Sequence, residues 1–454
     1  MSPLDRSSPP ASGVPRDFAF PAVERRTAAH DLDLRIGCMN RLPMVSVNLF
    51  MRAGEAALGS AAAGLGVLTA DTLEGGTKKR SGSALAESLE RIGARVGASG
   101  GWEGTSIGLS CLADRLPEAM AILAEMVFEP DFPEAEVSRA REQQLAQIRQ
   151  RRMDPGALAT DSARVRYFAD GVPYRRAVDG SEESIAAVTR EAMLGYVDAN
   201  YRPEGGGMII VGDVEPDEVV EMIGDHFGDW SGAPASRPDF VVEPATRDRR
   251  LVVVDRPGSV QSEVRIGHVG AARSTRDYYP LSIANMVLGG MFTSRLNLNL
   301  REDHGYTYGI RSRFTFRSEA GPFQIGTSVG NDVTAPAVRE IIKELQLMAD
   351  DGPRDEEVAA ARDYAAGIFG LQLESAGQIA TRITQLVVFG LPDDHFDRYR
   401  DTVRGVTTEQ SAAAAARHMR PDEVQVIVAG DAEIITPELE SLGLAPVEVV
   451  VAES

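Results

Sequence analysis

An apolar run ending in Gly-Asp occurs twice in the chain, each time a few residues after an Arg-Pro pair. The first copy is Gly207-Met208-Ile209-Ile210-Val211-Gly212-Asp213-Val214, after Arg202-Pro203. The second is Val424-Gln425-Val426-Ile427-Val428-Ala429-Gly430-Asp431-Ala432, after Arg420-Pro421, 218 positions further on. A repeat at nearly half of 454 residues predicts a duplicated unit and constrains every other assignment. Around both copies, short alternating or continuous apolar runs are interleaved with amphipathic helical periods, which is an α+β pattern.

Strands are expected over 43–51, 105–111, 251–255, 262–267, 311–316 and 323–329, besides the two Gly-Asp runs. Helices are expected over 61–73, 83–92, 116–127, 134–152, 188–199, from 281, and over 335–348, 355–373 and 377–388. Asp154-Pro155-Gly156 is expected to stop the long polar helix before it. Residues 1–20, rich in Pro and Ser, read as an extended arm. The Ser-Gly-Ala-Pro-Ala-Ser-Arg-Pro run from Ser231 starts a linker, 231–248, between a first unit (21–230) and a second (249–454).

The net charge of −20 argues against nucleic acid or an anionic membrane as the main partner. The uncharged, Gly- and Ala-rich stretch from Ala56 to Ala70 is 15 residues and too short to span a bilayer. The N-terminus has no apolar core of the signal-peptide kind, which places the chain in the cytoplasm as written, or in the periplasm if a leader has been removed. Cys38 and Cys111 lie in apolar runs and are expected to be buried free thiols.

Chemistry concentrates in Leu300-Arg301-Glu302-Asp303-His304-Gly305-Tyr306-Thr307-Tyr308-Gly309. Arg301 offers a fork of donors for a carbonyl or carboxylate, and Tyr308, seven residues on, offers a hydroxyl. The pair spans two helical turns, or a turn and a strand start if Gly305 breaks the helix. It can hold a substrate and stabilise an oxyanion, but it cannot activate water. The six histidines provide no pair closer than 23 residues, so no helix presents two metal ligands at i, i+4. Gly97-Ala98-Ser99-Gly100-Gly101 satisfies G-x-S-x-G without the strand before it and helix after it that a nucleophile elbow needs, and reads as a flexible turn. Gly289-Gly290-Met291-Phe292-Thr293-Ser294-Arg295 lacks the P-loop lysine and reads as a helix-end turn.

The segment from Asn285 to Leu296, running into 300–308, closely resembles the C-terminal half of M16 (pitrilysin-like, inverted zincin) metallopeptidases. The likeness extends over nearly the whole chain and is greatest to the subfamily of short, two-domain chains. It implies two homologous α+β domains, each an antiparallel sheet backed by helices, forming half of a clamshell. In that family an Arg and a Tyr at this spacing complete the active site, and Arg301 and Tyr308 match them. The family's H-x-x-E-H zinc motif falls on Gly64-Leu65-Gly66-Val67-Leu68-Thr69-Ala70-Asp71-Thr72. Val67 and Asp71 there occupy the histidine positions and Ala70 that of the catalytic glutamate. The third ligand, a glutamate 76 residues after Asp71, falls on Gln147. A substrate-contacting asparagine falls on Gly97.

Valine and alanine have no lone pair, and no general base remains, so this set does not hold zinc. The resemblance therefore implies a non-catalytic subunit, inactive alone, with Zn2+ expected in a homologous H-x-x-E-H partner and peptides as substrate. The alternative is an inert scaffold of the same fold, like the respiratory-complex core subunits of this family.

Overall fold

The computed structural model describes residues 19–28, 32–235 and 239–451. Most of the expected arm and part of the expected linker lie outside them. Two six-stranded sheets follow one plan. In the first, β1 (Val23–Ala28), β2 (Leu32–Cys38), β3 (Met44–Met51), β4 (Arg95–Gly100), β5 (Thr105–Leu112) and β6 (Gly207–Gly212) lie in the order β1-β2-β6-β3-β5-β4. In the second, β7 (Arg250–Asp255), β8 (Gln261–Val269), β9 (Ile310–Phe314), β10 (Pro322–Gly330), β11 (Gln425–Gly430) and β12 (Val447–Val451) lie in the order β12-β7-β11-β8-β10-β9. The two Gly-Asp runs are β6 and β11, the fully buried strands at equivalent places.

The α+β class and the duplication hold, but the sheets are mixed rather than antiparallel. β2 and β3 run in opposite directions, so β6, inserted between them, is antiparallel to β3 and must be parallel to β2. β11 repeats this between β7 and β8. The glycine that ends β6 is required by close approach. Gly212 has φ +151, and a Cβ there would lie 2.1 Å from the Met44 carbonyl oxygen.

One face of each sheet packs on its own half's helices, forming two large apolar cores. The other face is covered by a helix from the opposite half. Helix Ala376–Phe389 lies on β3 and β6, where Ile379, Ile383, Leu386 and Val387 meet Phe50, Ile209 and Val211. Helix Pro155–Tyr167 lies on β8 and β11, where Ala159, Ala163 and Tyr167 join Val269, Ile427 and Ala429, with Val252 and Val254 of β7, in one apolar cluster. Polar contacts repeat the exchange at equivalent strand positions. Asn48 donates to Thr384 Oγ1 at 2.7 Å, and Arg265 donates to Thr160 Oγ1 at 3.1 Å.

Several expectations change. Asp154-Pro155-Gly156 ends one helix and begins the next: Asp154 accepts the Ala157 amide at 2.6 Å, with Pro155 in the first turn. The single helix expected over 61–73 is the helix Leu65–Asp71 between two short 3-10 turns, because Gly64, at φ +84, breaks the backbone ahead of it. Gly97–Gly101 is no flexible turn: its first four residues belong to edge strand β4, paired antiparallel to β5. Cys111 is buried in β5, but Cys38, at the end of β2, is exposed.

Ile383 is fully buried between the halves. Ile383→Ala should destabilise the protein by roughly 2–4 kcal/mol. Because its helix belongs to the second half and its sheet to the first, urea unfolding followed at Trp102 and Trp230 in the first half should shift together with probes placed in the second. An independent second-half transition would contradict the exchange.

Candidate functional site

The helix Leu65–Asp71 carries three of the four positions where the resemblance places zinc chemistry. Val67 is half-buried, Ala70 is buried and Asp71 is exposed. The fourth, Gln147, is exposed on helix Glu134–Met153, which packs against the first. The helix itself is tightly fixed. A Cβ on Gly100 of β4 would lie 2.7 Å from the Val67 Cα, so only glycine lets the strand pass. Beneath its first turn sits the fully buried Glu55 carboxylate, which accepts the amides of Gly64 (2.9 Å), Gly66 (2.8 Å) and Val67 (3.2 Å). Burial pushes this carboxyl up, while the three amides and Arg176 oppose the shift. Sequence reasoning missed Glu55. Its signal was a lone acid in an otherwise small and apolar run, nine residues before Gly64.

The second cluster is the turn between a helix end and β9. Leu298–Asp303 is a π-type turn, Gly305 takes φ +67, and the chain enters β9 at Ile310. The seven-residue spacing is thus a turn followed by a strand approach, not two helical turns. The turn is tied at several points. His304 Nδ1 donates to the Asn299 carbonyl at 2.9 Å, and Thr327 Oγ1 donates to the Gly309 carbonyl at 3.1 Å. Tyr308 is wholly exposed. Arg301 is half-buried, with its guanidinium carbon 4.2 Å from the Phe292 ring centre. The structure therefore sets both residues on one turn, and the direct neighbour of Arg301 is an aromatic ring that sequence reasoning read only as part of a loop.

That loop is held by two asparagines. Asn297 donates to the carbonyls of Met291 (3.1 Å) and Ile310 (3.0 Å) and accepts the Ile310 amide at 3.2 Å. Asn285 and Ser312 clasp each other at 2.8 Å. Arg295 is no free anion site, since it grips Glu357 through two bonds of 2.9 and 2.6 Å. Burial alone would raise the Glu357 carboxyl, but the Arg295 fork and the Arg354 amide hold it down at about 2.

The histidines are accounted for individually. His268 is buried against Phe323, with Nδ1 2.7 Å from the Val269 carbonyl and Nε2 accepting the Arg420 amide. Desolvation and Arg420 keep it neutral, at about 3. His395 meets Arg273 and Tyr279, and His418 meets Asp277. His226 lines a surface cleft, and His30 lies outside the described residues. Among the described residues no three His, Cys, Asp or Glu side chains are grouped to hold a metal ion, and none of their helices is long and apolar enough to cross a membrane. The ligand positions 67, 71 and 147 do not fit zinc: Val67 has no donor atom and the other two are a lone carboxylate and an amide, while Ala70 leaves no general base.

The description "Insulinase (Peptidase family M16)" matches residues 40–166, and "Peptidase M16 inactive domain" matches residues 187–364, together well over half of the chain. The chain belongs to the M16 peptidase family. An uncharacterized zinc protease of Mycobacterium tuberculosis is 26% identical over 415 residues, covering 89% of this chain and 92% of that protein. An uncharacterized zinc protease of Bacillus subtilis is 24% identical over 312 residues, covering 68% and 74%. The fold matches a peptidase M16 inactive domain from Pseudomonas fluorescens with TM-score 0.84 at 24% identity, over 90% of this chain and 98% of that one. It also matches a protease from Helicobacter pylori with TM-score 0.83 at 17% identity, over 90% and 99%. The chain is thus an M16 peptidase-family scaffold or subunit.

Two outcomes follow. Elemental analysis of the purified chain should find no stoichiometric zinc, and the combined Val67→His, Ala70→Glu, Asp71→His and Gln147→Glu substitutions should create a zinc site. Tightly bound zinc in the natural chain would contradict this. Separately, the Arg295–Glu357 pair is fully effective above the ordinary carboxylate range and is lost as pH falls through about 2. Glu357→Gln should therefore cost about 1–3 kcal/mol at pH 7, and its deficit in urea titrations should shrink steadily as the pH is lowered from 5 to 2.

Proposed function

We propose that this chain is the non-catalytic subunit of a heterodimeric M16 zinc peptidase. It lends Arg301 and Tyr308 to the zinc site of a homologous H-x-x-E-H partner that cleaves short or unfolded peptides. The observation that carries the reading is a contrast within one chain. The zinc positions hold Val67 and Ala70, with no donor atoms, while Tyr308 is offered entirely to solvent on a turn tied down on both sides. A phenol that served packing would be at least partly covered. The zinc-protease names of the M. tuberculosis and B. subtilis relatives and the inactive-domain match support the same reading.

Zinc, held by the partner, supplies the activated water. This chain's residues supply recognition and charge stabilisation. Arg301, fixed by Phe292 on one side, donates to a backbone carbonyl or carboxylate of the peptide and sets its register. Tyr308 donates its hydroxyl proton in a hydrogen bond to the oxygen on which negative charge develops. Donors in that role are worth roughly 3 kcal/mol, a rate factor of about 10².

The experiment is reconstitution. The chain alone should be inert. Mixed with its zinc-bearing homologue it should yield a complex on size exclusion and peptidase activity. In that complex Tyr308→Phe should lower kcat about a hundredfold with little change in KM, and Arg301→Ala should mainly raise KM. A complex that forms, yet cleaves equally well with both substitutions, would leave this chain as an inert scaffold.

A further inference from the structure

Phe292 is out of place for a large apolar side chain. It is 70% exposed, yet the residues on either side of it are tied down. Asn297 secures the carbonyl of Met291 just before it and the Ser294 hydroxyl just after it. A Cβ on Gly289 would stand 2.6 Å from the Ser312 amide nitrogen, so the loop lies flush on β9 with no slack. An aromatic ring held rigidly in water presents a binding surface at low entropic cost.

Arg301 is the other half of the arrangement. Its guanidinium is stacked on the Phe292 ring at 4.2 Å. Its buried Nη1 makes no hydrogen bond. Glu302 Oε1 stands 3.4 Å away, an ion pair without the alignment of a bond. A guanidinium carries five donors, so beyond the Glu302 ion pair Arg301 keeps donor capacity for a ligand. The guanidinium lies over the ring, and most of the ring's own area remains uncovered.

Resting on the functional reading above, we propose that Phe292 is the specificity-determining residue of this site. Its ring orients Arg301 toward the peptide backbone and takes a bulky apolar side chain of the substrate peptide beside the group that Arg301 holds. Phe292 touches no reacting atom and acts on the chemistry only through Arg301, so for the arginine it is a positioning residue. The substrate class is accordingly peptides with an aromatic or branched aliphatic residue adjacent to the bond or terminus gripped by Arg301. The acidic net charge contributes no such discrimination among apolar side chains, whereas an exposed ring does.

The test uses the reconstituted complex and a fluorogenic peptide library in which one position at a time is Gly, Ser, Leu, Phe or Lys. Phe292→Ala should raise KM roughly tenfold for the peptides with Leu or Phe at one position. It should raise KM less for Gly and Ser, where only the orientation of Arg301 is lost, and leave kcat nearly unaltered. Phe292→Tyr should restore the wild-type preference, and Phe292→Leu should restore part of it. A second readout needs no partner. In the isolated chain the Arg301 side-chain protons should show an upfield ring-current shift that Phe292→Leu abolishes and Phe292→Tyr keeps. If Arg301→Ala and Tyr308→Phe impair cleavage while Phe292→Ala leaves the preference unchanged, Phe292 has no such role and the functional reading stands. If Arg301→Ala and Tyr308→Phe are without effect, the functional reading itself fails.

Discussion

The structure depends on an exchange of helices between its two halves. Each sheet has an apolar second face: Phe50, Ile209 and Val211 in one, Val252, Val254 and Ile427 in the other. Neither half covers its own. Burying an aliphatic side chain of this size gains roughly 1.5–3 kcal/mol relative to exposure, so several such residues per face exceed what a half-chain could forgo. The helices Ala376–Phe389 and Pro155–Tyr167 provide the cover reciprocally. The halves are therefore separate along the chain but not in energetics, and the pseudo-symmetry of the sequence becomes a shared core.

The same exchange explains which parts of the fold are legible in the sequence. The strands of period two and the continuous apolar runs of β6 and β11 stand out because burial writes itself directly into residue type. Helix Pro155–Tyr167 does not. Its start coincides with Asp154-Pro155-Gly156, which terminates one helix and caps another with the same residues, and only the presence of the opposite sheet decides for continuation. β4 is obscured differently. Its Gly and Ser content answers to helix Leu65–Asp71, since a side chain at Gly100 would collide with Val67, and this tertiary demand overrides strand propensity. The parallel pairs in the sheets follow from insertion of a late strand between two early ones, a fact of chain order that composition does not record.

At the candidate site, spacing against a family pattern is what singles out Arg301 and Tyr308 and the positions 67, 70, 71 and 147. What spacing could not convey is environment. The exposure of Tyr308, the stack of Arg301 on Phe292 and the asparagines that hold the loop arise from contacts among residues 285–312. Each of those residues is unremarkable alone: Asn285 and Asn297 could be surface residues, and Phe292 could be core.

Residues that keep a helix in place differ from residues that give it chemistry, and the helix Leu65–Asp71 separates the two. Its position rests on Glu55 beneath the first turn, on Gly64 in a left-handed conformation, and on the close passage of Gly100. None of these contacts involves the side chains of Val67, Ala70 or Asp71. A donor-free side chain at 67 or 70 therefore leaves the anchoring contacts intact, and a buried Ala70 avoids the desolvation cost of a buried glutamate. The placement of this helix and the chemistry of its side chains are mechanically independent here, so a chain of this family can keep the helix with no means of holding a metal on it.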